Sequence, residues 1–261
     1  MRCEMTQAER RNYLIKELLE EHSEYRNVEI PENEKEQKIL LRSLFNIRPS
    51  HKISEKFLAV QDEYLREETK RKGITDFASL KPFENNLYLW QGDITTLKCD
   101  AIVNAANSGM TGCYQPCHDC IDNCIHTFAG VQLRLECAEL MDRQGFEEPI
   151  GTAKITSAYN LPCHYVIHTV GPIVSGTVTQ RDCDLLRSCY HACLELAKKK
   201  RVQSIAFCCI STGVFHFPNK KAAEIAVATV KEYLAERKSE MKVIFNVFKD
   251  EDYKIYRTLL R

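Results

Sequence analysis

The sequence predicts an α/β protein: a mixed, largely parallel sheet with helices on both faces, preceded by an N-terminal helical extension. Three observations predict it. From Leu87 onward, short apolar runs alternate with longer segments of helical spacing. Helices that cross over between strands imply parallel neighbours covered on both sides. The first ~80 residues are charged and helical by their periodicity. The expected division is residues 1–84 for the extension and 85–261 for the α/β domain.

Each element has its own warrant. Thr6-x-x-Glu9 reads as a capping box, with Leu14 and Leu18 on one helical face behind it. Pro31 suits the start of a second helix whose apolar stripe is Leu40, Leu41, Leu44 and Phe45. Ser54 suits the cap of a third, carrying Phe57, Leu58 and Leu65 and ending at Gly73. Residues 87–90 and 100–106 read as strands. Residues 121–143 have helical spacing through Ile125, Phe128, Leu135 and Leu140. Strands follow at 155–158 and 165–170, then a helix at 181–199 with Leu185, Leu186, Cys189, Cys193 and Leu196 on one side. Residues 204–210 read as a buried strand, and Pro218 opens a helix carrying Ile225, Val230 and Leu234. A strand at 243–248 and a helix at 250–261 close the chain.

Bulk properties narrow the function. Thirty-six basic residues balance thirty-six acidic ones, so no global field points to nucleic acid or an anionic membrane. No signal peptide and no transmembrane run are read, so a cytoplasmic protein with reduced thiols is expected, a monomer by default. The thirteen cysteines fit that setting. Cys189, Cys193, Cys208 and Cys209 lie in apolar elements and read as inert buried thiols.

One stretch stands apart. Residues 104–130 read NAANSGMTGCYQPCHDCIDNCIHTFAG, an Asn-rich run leading into Cys113, Cys117, His118, Cys120, Cys124 and His126. Thiols and imidazoles packed this closely point to a thiophilic metal, zinc above all. The stretch lies between a strand and a helix, where α/β sheets put their ligand loops. Two more such loops carry chemistry. In 91–95, Asp93 followed by free amides suits an adenine amine, although a plain turn cap explains it as well. In 211–218, amides and hydroxyls ahead of a helix suit a phosphate, although its Gly also serves shape alone.

Together the motifs GDIT (92–95), AIVNAAN (101–107), CIDNCIHTFAG (120–130), HTVGP (168–172) and ISTGVFHFP (210–218) resemble the macrodomain family, an ADP-ribose-binding α/β fold. They occur in family order across roughly residues 85 to 261. The resemblance implies Gly92, Asp93 and Ile94 at the adenosine end and Asn104, Asn107 and Asp122 around the distal ribose. It implies that Ser211, Thr212, Gly213, Val214 and Phe215 wrap the diphosphate. Ordinary members carry a glycine-rich run where this chain has GCYQPCHDC. That departure resembles the zinc-containing branch, and it implies Cys113, His118 and Cys120 as ligands of a Zn2+ ion. His126 matches a histidine that zinc-free members also carry.

Two rival readings of the cysteines carry less weight. Cys113-x3-Cys117-x2-Cys120 matches an iron–sulfur spacing of radical enzymes, but Asp119 stands where those have an aromatic residue. Pro116-Cys117-x-x-Cys120 is half a zinc deaminase signature, whose other half is found only as His22-Ser23-Glu24. A closed structural zinc site needs a fourth protein ligand, Cys117 or Cys124. The expected activity is zinc-dependent hydrolysis of mono-ADP-ribose from modified protein side chains, with Asn107 and Asp122 as catalytic residues and ADP-ribose as product. The alternatives are a non-catalytic ADP-ribose reader with a structural zinc, and a scaffold built on the first helices.

Overall fold

The computed structural model describes residues 5–25 and 27–261. Cys3 therefore lies outside the described residues. Three helices come first. In α1 (Gln7–Glu20) the Thr6 hydroxyl accepts from the Glu9 amide and the Glu9 carboxylate accepts from the Thr6 amide. α2 (Glu34–Ile47) is capped by Asn33, which accepts from the Lys35 and Glu36 amides. The reading of Pro31 as the helix start is thereby corrected. Asn33 satisfies orphan amides, whereas Pro31 only accepts a bond from the Gln37 side chain. α3 (Glu55–Lys72) is capped by Ser54 and stops at Gly73, whose φ of 92° suits a residue without Cβ. Leu14, Ile15, Leu18, Leu41, Leu44, Phe45, Phe57 and Leu65 form a core of their own.

A two-residue strand, β1 (Thr75–Asp76), pairs in parallel with β3 (Leu97–Lys98). Strands this short leave no periodic trace in the sequence. The main sheet is built from β2 (Leu87–Gln91), β4 (Ala101–Ala106), β5 (Ala153–Ser157), β6 (Tyr165–Val170), β7 (Ser204–Phe207) and β8 (Lys242–Val247). Its order is β2-β8-β7-β4-β6-β5. Every neighbouring pair is parallel except β5 with β6. Helices α4 (Ile121–Ala129), α5 (Val131–Gln144), α6 (Gln180–Lys199), α7 (Asn219–Arg237) and α8 (Asp250–Leu259) complete the chain. The main core runs through Ile102, Val103, Val166, Ile167, Ile205, Phe207, Ile244 and Phe245. Among the described residues no helix is long and apolar enough to cross a membrane.

Three readings need correction. Residues 121–143 are two helices, because Gly130 adopts φ 101° and ends α4. A Cβ there would fall 2.6 Å from Gln61 Nε2, so α3 seats against the break. The strand read at 204–210 stops at Phe207, and the chain turns out of the sheet toward Ser211 at φ 65°. The strand read at 155–158 begins earlier, at Ala153, where it pairs with Thr169 on the antiparallel edge.

The five parallel strands bring the loops after β2, β4, β6, β7 and β8 to one edge of the sheet. β4 lies between β6 and β7, so the loop that leaves it sits in the middle of that edge.

Candidate active site and metal centre

The loop after β4 gathers the trio read from the sequence. One ligand atom each from Cys113, His118 and Cys120 lies within 4.8 Å of the others. Cys113 Sγ stands 3.5 Å from His118 Nδ1. Bond lengths of about 2.3 Å to sulfur and about 2.0 Å to nitrogen, at tetrahedral angles, put such a pair about 3.5 Å apart around zinc. The donor set and its spacing therefore fit the ion. All three residues are half-buried, open enough for an incoming group. Cys120 also caps α4, its Sγ accepting from the Asn123 amide at 3.4 Å. Burial pushes the Cys120 thiol up to about 12, and a coordinated cation reverses that by stabilising the thiolate.

No fourth Cys, His, Asp or Glu joins this trio among the described residues. Cys117 instead faces α2, with its Sγ 3.3 Å from Ser43 Oγ. Cys124 Sγ lies 3.7 Å from an Arg42 nitrogen. Each of the two thiols that could have closed the site is thus engaged by the extension. Cys117 is likewise missing from the three-cysteine arrangement that an iron–sulfur cluster would use. His22 and Glu24 belong to the extension and join neither candidate ligand group.

Asp122, in the first turn of α4, is almost wholly buried. Asn104 Nδ2 donates to one carboxylate oxygen at 2.8 Å, and Asn107 Nδ2 donates to the other at 3.2 Å. Burial raises the acid to about 6, while the two amides and Arg134 oppose the rise. Asn107 also donates to the carbonyl of Gly112 at 3.1 Å, next to Cys113 in the chain. Its own oxygen accepts from the Gly109 amide at 3.0 Å. Asn107 thus ties the carboxylate to the loop that carries the trio. Asn104 has no exposed surface, and its amide is spent on Asp122 and His168.

A second trio, His126, Cys137 and His168, is also close enough for a metal and is fully buried. Its hydrogen bonds argue against one. Asn104 Nδ2 reaches His168 Nδ1 at 3.1 Å, and Asn104 is oriented by the carboxylate it also serves. His168 Nδ1 must then accept, which leaves the proton on Nε2, 2.9 Å from Thr156 Oγ1. No lone pair remains on the ring for a cation. His126 packs its ring under Gly112, where a Cβ would fall 2.7 Å away.

The remaining loops line the same edge. Among the described residues, the amides of Asp93 and Ile94 find no acceptor within the chain, nor do those of Gly213, Val214 and Phe215. Ile94 itself points into the core, so only its backbone faces outward. Gly92 lies under the Trp90 ring, where a Cβ would fall 2.5 Å away. Ser211 is buried with an unpartnered Oγ, pressed against Gly171. Thr212 Oγ1 donates to the Cys209 carbonyl at 3.0 Å, and Phe215 accepts from the Val174 amide at 2.9 Å. These bonds fold the 211–215 loop around its free amides, an arrangement suited to anions. Val214 is exposed.

Sequence reasoning missed three residues here. Phe248 follows β8 and is 75% exposed, beside Gly92, whose amide bonds Val247. The apolar run 243–248 hid it, because its last residue leaves the sheet. Lys72 and Arg42 come from the extension: Lys72 pairs with Asp93 at 3.2 Å, and Arg42 bonds the His118 carbonyl. No local pattern marks contacts this distant in sequence.

Residues 103–226 match the Macro domain family. A protein-ADP-ribose hydrolase of Treponema medium is 62% identical over 260 residues, covering 98% of this chain and 100% of that protein. A protein-ADP-ribose hydrolase of Staphylococcus aureus (strain MRSA252) is 51% identical over 250 residues, covering 95% and 94%. The solved structure of a Trypanosoma brucei macrodomain in complex with ADP-ribose has a TM-score of 0.65 at 30% identity, over 84% of this chain and 95% of that one.

Proposed function

Since the chain belongs to the macrodomain family, we propose that its site removes mono-ADP-ribose from protein side chains with the help of zinc, releasing ADP-ribose. That it is an enzyme, a hydrolase taking ADP-ribose off proteins, follows from near-full-length identity to two protein-ADP-ribose hydrolases. The zinc, the single ADP-ribose unit and an ester link through Asp or Glu are our reading.

One observation carries it: the Cys113, His118 and Cys120 ligand atoms of the loop after β4 and the Asp122 carboxylate at the start of α4 are joined through Asn107 and the Gly112 carbonyl. Cys113, His118 and Cys120 would hold the ion, which would supply Lewis acidity beside the sugar. Asp122, with one amide fixed on each oxygen, presents its remaining lone pairs to the distal ribose and to the attacking water, whose proton it takes. Asn107 keeps that carboxylate in register with the loop. Asn104 does the same from behind.

The free amides of Gly213, Val214 and Phe215 receive the diphosphate. Asp93 and the Ile94 amide read the adenine, and the Phe248 ring offers it an exposed aromatic face. An ADP-ribose so placed directs its distal sugar to the middle of the sheet edge, where the trio lies.

The test is Cys120→Ala. Expected are loss of bound zinc from the purified protein and loss of ADP-ribose release from a modified protein. Full release with no metal bound would refute the zinc reading and leave the hydrolase intact. ADP-ribose affinity alone does not separate hydrolase from reader, since the fold serves both.

A further inference from the structure

We propose that α2 is a working part of the metal centre, with Arg42 as the positioning residue that keeps the three ligands converged. The inference rests on the zinc reading above. It concerns how firmly the ion is held.

A single guanidinium nitrogen of Arg42 donates to the His118 carbonyl at 2.8 Å and to Asn123 Oδ1 at 3.1 Å. Asn123 has no exposed surface and passes the hold onward. Its amide donates to Cys120 Sγ at 3.4 Å. Its side-chain Nδ2 donates to the carbonyls of Cys113 at 3.3 Å and Gln115 at 2.9 Å. Each ligand residue is thus reached from Arg42 either directly or through Asn123 alone. Charged donors on carbonyls are among the stronger hydrogen bonds. The same nitrogen lies 3.7 Å from Cys124 Sγ, and the Arg42 contact of 3.5 Å to the 94% exposed Asp119 is a surface pair of little weight.

α2 grips the same loop a second time. Asn46 Oδ1 accepts from the Cys117 amide at 2.9 Å, and Asn46 Nδ2 donates to Thr127 Oγ1 at 2.9 Å. Cys117 sits at φ 52°, a conformation that costs a non-glycine residue and persists only when its surroundings hold it. Residues 42, 43 and 46 lie on one side of a helical turn. That side of α2 therefore acts as a template for a loop that has no regular structure between β4 and α4. Groups that orient metal ligands in this way are worth roughly 10- to 100-fold in metal affinity.

The experiment uses the full chain. Arg42→Met keeps the aliphatic stem and removes the donors. Zinc content is measured first, then the rate of zinc loss to a chromophoric chelator, then ADP-ribose affinity by calorimetry. Arg42→Met is expected to release zinc about 10- to 100-fold faster than the parent, with ADP-ribose affinity essentially unchanged. Arg42→Lys keeps the charge without the planar fork and is expected to fall between them. If Arg42→Met fails to fold, Arg42→Lys carries the test through the same release rate. Release as slow as the parent's from a folded variant overturns the inference. A parent chain that binds no zinc overturns the zinc reading instead, so the two failures are distinct.

Discussion

Asp93 shows how much one carboxylate can be asked to do. One of its oxygens accepts from the Thr95 amide at 3.0 Å and from the Thr95 hydroxyl at 2.6 Å. The other faces Lys72, whose ammonium also sits 3.1 Å from the Phe128 ring centroid. On the proposed placement of adenine, its amine would share the second oxygen with that lysine. Lys72→Met is therefore expected to tighten ADP-ribose binding by up to about fivefold, the most an exposed pair of this kind is worth. Calorimetry decides it; weaker binding would mean that the lysine itself touches the nucleotide. The motif residues Asp93, Asn107, Asp122 and the Cys113, His118 and Cys120 trio were legible because they crowd short segments. The depth of Asn104 and the role of Lys72 were not. Burial and pairing across tens of residues depend on packing that no local spacing records.

Elements here are finished by residues from other elements. Gln61 in α3 accepts from the Val131 amide at 3.0 Å and so caps α5, whose own N-cap residue is a glycine. Arg134 in α5 returns the service. Its guanidinium donates to the carbonyls of Phe45 at 3.1 Å and Asn46 at 2.8 Å, closing the end of α2, and to Thr111 at 2.7 Å. It is buried, so truncation strands several acceptors. Arg134→Met is expected to cost about 3 kcal/mol in urea unfolding. A loss under about 1 kcal/mol would show that water replaces these bonds without penalty. The alternation of strands and helices was readable because parallel strands carry long apolar runs. The break at Gly130 was not, because Ile125, Phe128, Leu135 and Leu140 stay in phase across it. The extra residues assigned to β7 have a similar origin: Cys208 and Ile210 remain buried after the chain has left the sheet.

At the scale of the molecule, two apolar cores meet across hydrogen bonds, and among the described residues Val131 is the main-domain hydrophobic side chain packed against the smaller core. Behind the site the chain buries neutral imidazoles. Burial depresses His168 from 6.5 to about 3, and His126 is lowered by burial and then by His168. A histidine depressed in the fold gives full stability above its unfolded value. That stability drains as pH falls from about 6.5 toward 3, at about 1.4 kcal/mol per unit. Between about pH 7 and about pH 5, His168 alone should therefore remove about 2 kcal/mol. Urea unfolding at both values checks this against His168→Gln, whose acid loss should be smaller by that amount. Equal losses would mean that the ring takes its proton without leaving the fold. Thr156 and Cys137 also face His168, and neither supplies a charge that would offset the imidazolium.

The meeting of the cores through Arg42, Asn46, Gln61 and Arg134 has a consequence for how this molecule fails. A greasy joint, once opened, displays sticky surface and invites clumping. A joint made of dipoles and cations displays groups that water readily accepts. Gentle stress should therefore loosen the front helices as a soluble, reversible breathing motion, and the loop between β4 and α4 would be the first region whose amides trade their hydrogens with heavy water.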